Sequence, residues 1–151
     1  MASFVFDNIK NQVAEGNIDF VAENSFKVAL VCEAFFDASN ITNAKSKWDD
    51  VSQYEITGSL CGSTNHIGYS QQFLINVVKI QETVGSFKNT IIKANNVTYG
   101  NTSTITARGA VIYRTDSNKT LILAIDFGSD VISTNGVFTL KFSESGFLKI
   151  R

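Results

Sequence analysis

No proline occurs in this 151-residue chain, and histidine occurs once, at His66. Without an X–Pro bond, slow isomerisation has no part in folding. With a single imidazole, a His-rich zinc site has no ligands to draw on. Cysteine is scarce as well: Cys32 and Cys61 are too few for a disulfide scaffold and show no CxxC spacing. Cys32 closes the apolar run FKVALVC and reads as a small core residue, while Cys61 lies in a Gly/Ser-rich loop and reads as exposed. Two separate thiols are therefore expected, not a bridge. A net charge of −1 offers no basic footprint for nucleic acid. No apolar run approaches the ~18 residues that a membrane span needs. The N-terminal MASFVFDNIKNQ lacks a basic region followed by a continuous apolar one, so no secretory signal is expected there. The sequons at Asn40, Asn96, Asn101 and Asn118 then read as by-products of Asn/Thr-rich loops.

What the chain does have is strand pattern. Phe6, Ile9 and Val13 fall at helical spacing before Gly16, with Ser3 as N-cap, which predicts one short helix within residues 1–16. From residue 17 onward strand signals dominate. SFKVALVCEAFF is a nearly continuous apolar run and predicts a strand covered on both faces. A helical turn is expected at KWDDV around Trp48 and a brief strand at YEITG. Further strands are expected at YSQQFLINVVKIQE, SFKNTIIKA, TITARGAVIYR, TLILAIDFG, GVFTLKF and GFLKI, with turns at TDSNK and SESG. The expected fold is mainly β: an antiparallel β-sandwich or jelly-roll-like barrel over 17–151 with the short N-terminal helix, in one domain spanning 1–151.

Asp126 interrupts this pattern, a carboxylate between Ile125 and Phe127 inside an apolar strand. If Thr115–Lys119 is a five-residue hairpin loop, Arg114 pairs with Thr120. The same even register sets Ala110 against Ala124, Ile112 against Ile122 and Arg108 directly across from Asp126. A structural ion pair between Arg108 and Asp126 is the expected role of this carboxylate.

Candidate chemistry is thin. His66 with Cys61 would make half a metal site, and GSTNHIG describes a loop too loose to hold a triad histidine. No G-x-S-x-G elbow or phosphate-cradling glycine loop is present. Asp37, Asp49, Asp50 and Asp130 are loop carboxylates without EF-hand spacing, and Glu144 and Asp126 are too far apart in the threading for a glycosidase pair. Tyr54, Tyr69, Tyr99 and Tyr113 are candidates for a sugar-binding face, with core or rim packing as the plainer reading. No enzyme, cofactor or metal site is expected.

Several segments nonetheless fall in a telling order: KVAL (27–30), YEITG (54–58) with GY (68–69), ARGAVIY (107–113), AIDFGSD (124–130) and GVFTL (136–140). The series resembles a family of small structural proteins of tailed bacteriophages over most of the chain. This chain departs from the family pattern in two places. An insertion from Ser59 to Ile67 opens the family's short G-x-G-Y, and Gly109 stands where the family usually has an aromatic. The resemblance implies a non-catalytic virion component, assembled in the host bacterial cytoplasm. It implies a capsid decoration or cement protein most directly, and a head fibre, tail or head–tail adaptor component as the alternative. The implied partners are the major capsid protein and further copies of the chain, as a homotrimer, with neither nucleic acid nor membrane. A host-glycan-binding β-sandwich is the alternative from a different class. Phe4, Val5 and Phe6 are candidate assembly contacts, unless they cover the chain's own sandwich; loop 59–67 is the other natural place for a partner contact.

Overall fold

The computed structural model of the protein describes residues 2–6, 25–37, 45–62, 66–144 and 146–150. The described residues form strands β1 (Ala2–Val5), β2 (Phe26–Val31), β3 (Gln72–Phe73), β4 (Val78–Val84), β5 (Phe87–Lys93), β6 (Val97–Arg114), β7 (Leu121–Leu140) and β8 (Leu148–Ile150). They build two antiparallel sheets, ordered β1-β7-β6-β2-β3 and β4-β5-β8. Ile92 and Leu148 of the smaller sheet pack with Val28, Leu30, Ile112, Ile125 and Phe138 of the larger one. The result is a mainly β, sandwich-like fold whose sheets do not close into a barrel.

β2 shows why its sequence is apolar at every position but Lys27. Val28 and Leu30 face the core between the sheets. Ala29 and Val31 point the other way, into a second core with Phe35, Trp48 and Val51. That second core is roofed by three short 3-10 turns, Glu33–Phe36, Trp48–Asp50 and Ser52–Tyr54. Trp48 is its anchor: it is buried and stacks on Tyr113 with ring centroids 5.1 Å apart. The Asp50 carboxylate accepts a hydrogen bond from the Lys47 amide at 3.2 Å and so fixes the turn that Trp48 begins.

Three sequence expectations need correction. The helix placed over residues 1–16 is a strand where it is described, with Ala2 opposite Asp126 and Val5 opposite Leu123. A short isolated helix has little stability of its own, whereas β7 offers an open row of backbone donors and acceptors. Residues 7–24 lie outside the described residues. YEITG contributes a single bridge, Val31 with Glu55, and no strand, because the 3-10 turn Ser52–Tyr54 leads directly into it. The strands expected at 120–128 and 136–142 are one strand, β7, because the FGSD segment is an excursion within the ladder and not its end.

Candidate functional site

The hairpin of β6 and β7 closes as its sequence suggests, with the Arg114 amide donating to the Thr120 carbonyl at 2.8 Å. One step inward the ladder slips. Tyr113 pairs with Leu121 but Ile112 pairs with Leu123, leaving Ile122 as an extra residue. Every pair beyond it is shifted by one: Val111 faces Ala124, Ala110 faces Ile125, and Gly109, not Arg108, faces Asp126. The even register expected from the sequence is therefore wrong past the first rung.

Arg108 and Asp126 meet all the same, by a different route. Ladder pairing resumes at Ala107 with Val131, so Arg108 stands alone opposite the excursion Phe127–Asp130. Freed from the ladder, Arg108 Nε donates to Asp126 Oδ1 at 2.8 Å, and its Nη1 lies 3.6 Å from the Glu33 carboxylate. The same Asp126 oxygen accepts the Gly128 amide at 2.8 Å. Gly128 has φ of +86°, a conformation that costs a residue with a Cβ, so the excursion turns on glycine and is tied by Asp126. Burial pushes the Asp126 pKa up, but the Arg108 and Gly128 hydrogen bonds outweigh it and hold the carboxyl below its ordinary 3.8. Asp126 is thus a turn clamp as well as an ion-pair partner.

Gly109 has its own reason. A side chain there would collide with the Phe36 ring and the Ile125 carbonyl. An aromatic ring does occupy this spot, but Phe36 supplies it from the 3-10 turn.

The walls of a 510 Å³ cleft rise beside this clamp, lined among others by Glu33, Leu60, His66, Thr106, Arg108 and Asp130. Cys32 and Cys61 are joined by a disulfide on its rim, with their Cα atoms 5.7 Å apart. The expectation of two separate thiols is overturned. Cys32 leaves the end of β2 just where the chain returns after Glu55, and the Ile56 amide bonds the Leu30 carbonyl at 3.0 Å, bringing residue 61 within reach. Nothing in the spacing of the two cysteines signals that return. His66 accepts a hydrogen bond at Nδ1 from the Thr106 amide at 3.3 Å. Its partial burial lowers its pKa, which keeps the ring neutral near pH 7. Arg108 spends its charge on Asp126 and Glu33, so the cleft has no free cation from that residue. Among the described residues, no three His, Cys, Asp or Glu side chains gather to hold a metal ion.

Beside the cleft, the insertion departs from a closed base. Tyr69 donates to Glu55 Oε1 at 2.6 Å and accepts the Leu30 amide at 3.1 Å, while Gln71 Nε2 donates to the same Glu55 oxygen at 2.9 Å. Gln71 also accepts from the Tyr113 hydroxyl. This network satisfies the edge of β2 beyond the end of β3, where the ladder would otherwise leave polar backbone unpaired. Burial, reinforced by Glu55, raises the Tyr69 pKa well above its ordinary value and keeps the hydroxyl protonated as a donor. The segments YEITG and GY therefore meet across the insertion, and the sequence reading missed Glu55 as their junction. Leu60 and Ile67 of the insertion are exposed, at 51% and 63%.

The remaining tyrosines are also spoken for. Tyr99 is buried, donates to the Val28 carbonyl at 3.2 Å and stacks on Tyr69, and Tyr54 is half-buried against Phe35. None of the four tyrosines lies exposed as one half of a flat sugar platform. Of the assembly contacts expected at the N-terminus, Phe6 is buried in the second core, Val5 is exposed, and Phe4 is registered opposite Ala124 in the ladder. Phe6 is thus consumed by its own chain.

The site sits on an antiparallel β-sandwich built for backbone closure. No protein-family model, curated protein or solved structure matches the chain.

Proposed function

We propose that the protein is a non-enzymatic structural component of a phage virion, specifically a capsid decoration or cement protein. It would bind the major capsid protein and further copies of itself, as a homotrimer at the three-fold sites of the shell. The observation that carries this reading lies at the two described ends of the insertion, residues 59–62 and 66–67. The Cys32–Cys61 disulfide fastens the first end beside β2, and Leu60 and Ile67 are exposed to solvent there. Apolar side chains next to a covalent fastening lose little entropy when a partner covers them, which suits a contact repeated many times over a shell. A disulfide persists on the outside of a released particle, where the surroundings are oxidising.

The polar clusters support the same reading. Asp126 and Tyr69 hold the backbone amides of Gly128 and Leu30, and Arg108 and Glu55 are spent on holding those two side chains, so none is poised as nucleophile or base. The resemblance adds that KVAL, ARGAVIY and AIDFGSD fall on β2, β6 and β7, three adjacent strands. The glycan-binding alternative lacks an exposed aromatic platform among the four tyrosines.

The test is copy number by quantitative mass spectrometry of purified particles, relative to the major capsid protein. Near-stoichiometric abundance is expected, with Leu60→Glu/Ile67→Glu lost from otherwise normal particles. A few copies per particle would move the protein to a fibre, vertex or tail position, and absence from clean particles would refute the virion reading.

A further inference from the structure

Among the described residues the two sheets have four outer edges, and three are short. β1 has 4 residues, β3 has 2 and β8 has 3. Short edges are a common way to keep a sheet from pairing with another chain. The fourth, β4, presents 7 residues, every one exposed, and among the described strands it pairs with β5 alone. Its sequence VKIQETV has no proline, no bulge against β5 and a single lysine. Val78, Ile80 and Val84 stand 41–51% exposed along it. This edge lacks the shortness that protects the other three.

We propose that β4 pairs with β4 of a second copy of this chain, antiparallel about a two-fold axis, joining two three-stranded sheets into one continuous sheet. The register follows from geometry. The turn Gly85–Ser86 is a two-residue hairpin turn with φ of +62° at Gly85, so Val84 and Phe87 form its closing hydrogen-bonded pair. Bonding to β5 then alternates along β4, which leaves the backbone groups of Thr83, Gln81 and Lys79 directed outward.

A two-fold axis normal to the sheet keeps each face on its own side, so a residue must sit on the axis opposite itself. An axis at Lys79 or Glu82 would oppose like charges directly. An axis at Ile80 leaves Thr83 and Val84 without strand partners. An axis at Gln81 pairs the whole strand: Gln81 with Gln81, Lys79 with Thr83, Ile80 with Glu82 and Val78 with Val84. All three outward-directed residues then meet outward-directed residues, and no charge faces its like. The edge is self-complementary in this register, which is what points to a second copy as its occupant. The inference is independent of the virion reading; on a shell it would link neighbouring trimers across local two-folds.

The full chain is tested by sedimentation equilibrium from micromolar to millimolar concentration, beside Gln81→Pro and Gln81→Lys. Proline at 81 removes an outward N–H and leaves the bonds to β5 intact. Lysine at 81 sets two charges opposite each other on the axis and is a harmless surface change in an isolated chain. The expected result is that both variants keep the wild-type melting temperature and show half its stoichiometry, 16.5 kDa against twice that if no other contact assembles the chain. Should Gln81→Pro fail to fold, Gln81→Lys alone decides. The same stoichiometry for wild type and folded variant overturns the proposal, whether that common state is a monomer or an oligomer.

Discussion

Reducing the Cys32–Cys61 bridge is the perturbation whose size is best fixed by the structure. The bridge closes a loop with a sequence separation of 29 residues. In the chain-entropy treatment, releasing such a loop in the unfolded state gives back about 12 cal/mol/K, or about 3.6 kcal/mol at 25 °C. For a chain of this length each kcal/mol moves the melting temperature by about 2–4 °C, so the reduced protein is expected to melt about 7–14 °C lower. Trp48, the sole tryptophan, is buried against Tyr113 and reports the transition by fluorescence without labelling. The measurement is a thermal melt with and without a phosphine reductant, paired with thiol counting to confirm that the reductant has acted. Cys32→Ala/Cys61→Ala should match the reduced wild type. Local opening should precede the global loss, with faster hydrogen exchange at Leu60, whose amide bonds the Gln53 carbonyl at 3.1 Å. Melting temperatures that coincide within about 2 °C, with both thiols shown to be free, would refute the account: the loop would then be held by its other contacts.

Asp126→Ala should lower stability by about 0.5–1.5 kcal/mol for the Gly128 hydrogen bond alone, read in a urea titration. Because the native pKa of Asp126 lies below 3.8, its contribution is present above that pH and fades as pH falls through the lowered native value. The gap between wild type and Asp126→Asn should therefore close in acid, and a gap that is constant from pH 6 to about 2 would contradict the clamp. Exchanging the pair (Arg108→Asp with Asp126→Arg) should recover only part of the loss, since arginine cannot accept the Gly128 amide. Gly109→Phe should destabilise by about 1–3 kcal/mol or more by overpacking, and Phe36→Ala in the same chain should recover only the part due to the ring, because the Ile125 carbonyl still stands in the way, as read in the same titration.

The sequence made some of these elements legible and hid others for physical reasons. β2 could be read because burial on both faces leaves an apolar run broken only at Lys27. The hairpin loop 115–119 could be read because its turn residues separate two such runs. The Arg108–Asp126 pair was legible as a pair of opposite charges at compatible depth, but its register was not. The extra residue Ile122 looks like any other apolar strand residue, and FGSD looks like a turn that ends a strand. At residues 2–5 the helical reading failed because the strand Ala2–Val5 is determined by a partner far along the chain, which no local period records. The disulfide was hidden because the return of residues 55–61 to the end of β2 depends on tertiary hydrogen bonds at Leu30 and Glu55.

That distant partner has a consequence for synthesis on the ribosome. β1 precedes β7 in the chain, and among the described strands it pairs with β7 alone, with Ala2 opposite Asp126. At about 5–20 residues per second, the intervening stretch takes roughly 6–25 s to emerge. During that interval the apolar SFVF segment has no strand to join, while β6 and β7, neighbours in sequence, can zip together within microseconds of release. β1 thus waits for a partner made long after it, and the nascent chain must be kept from aggregating at this segment in the meantime.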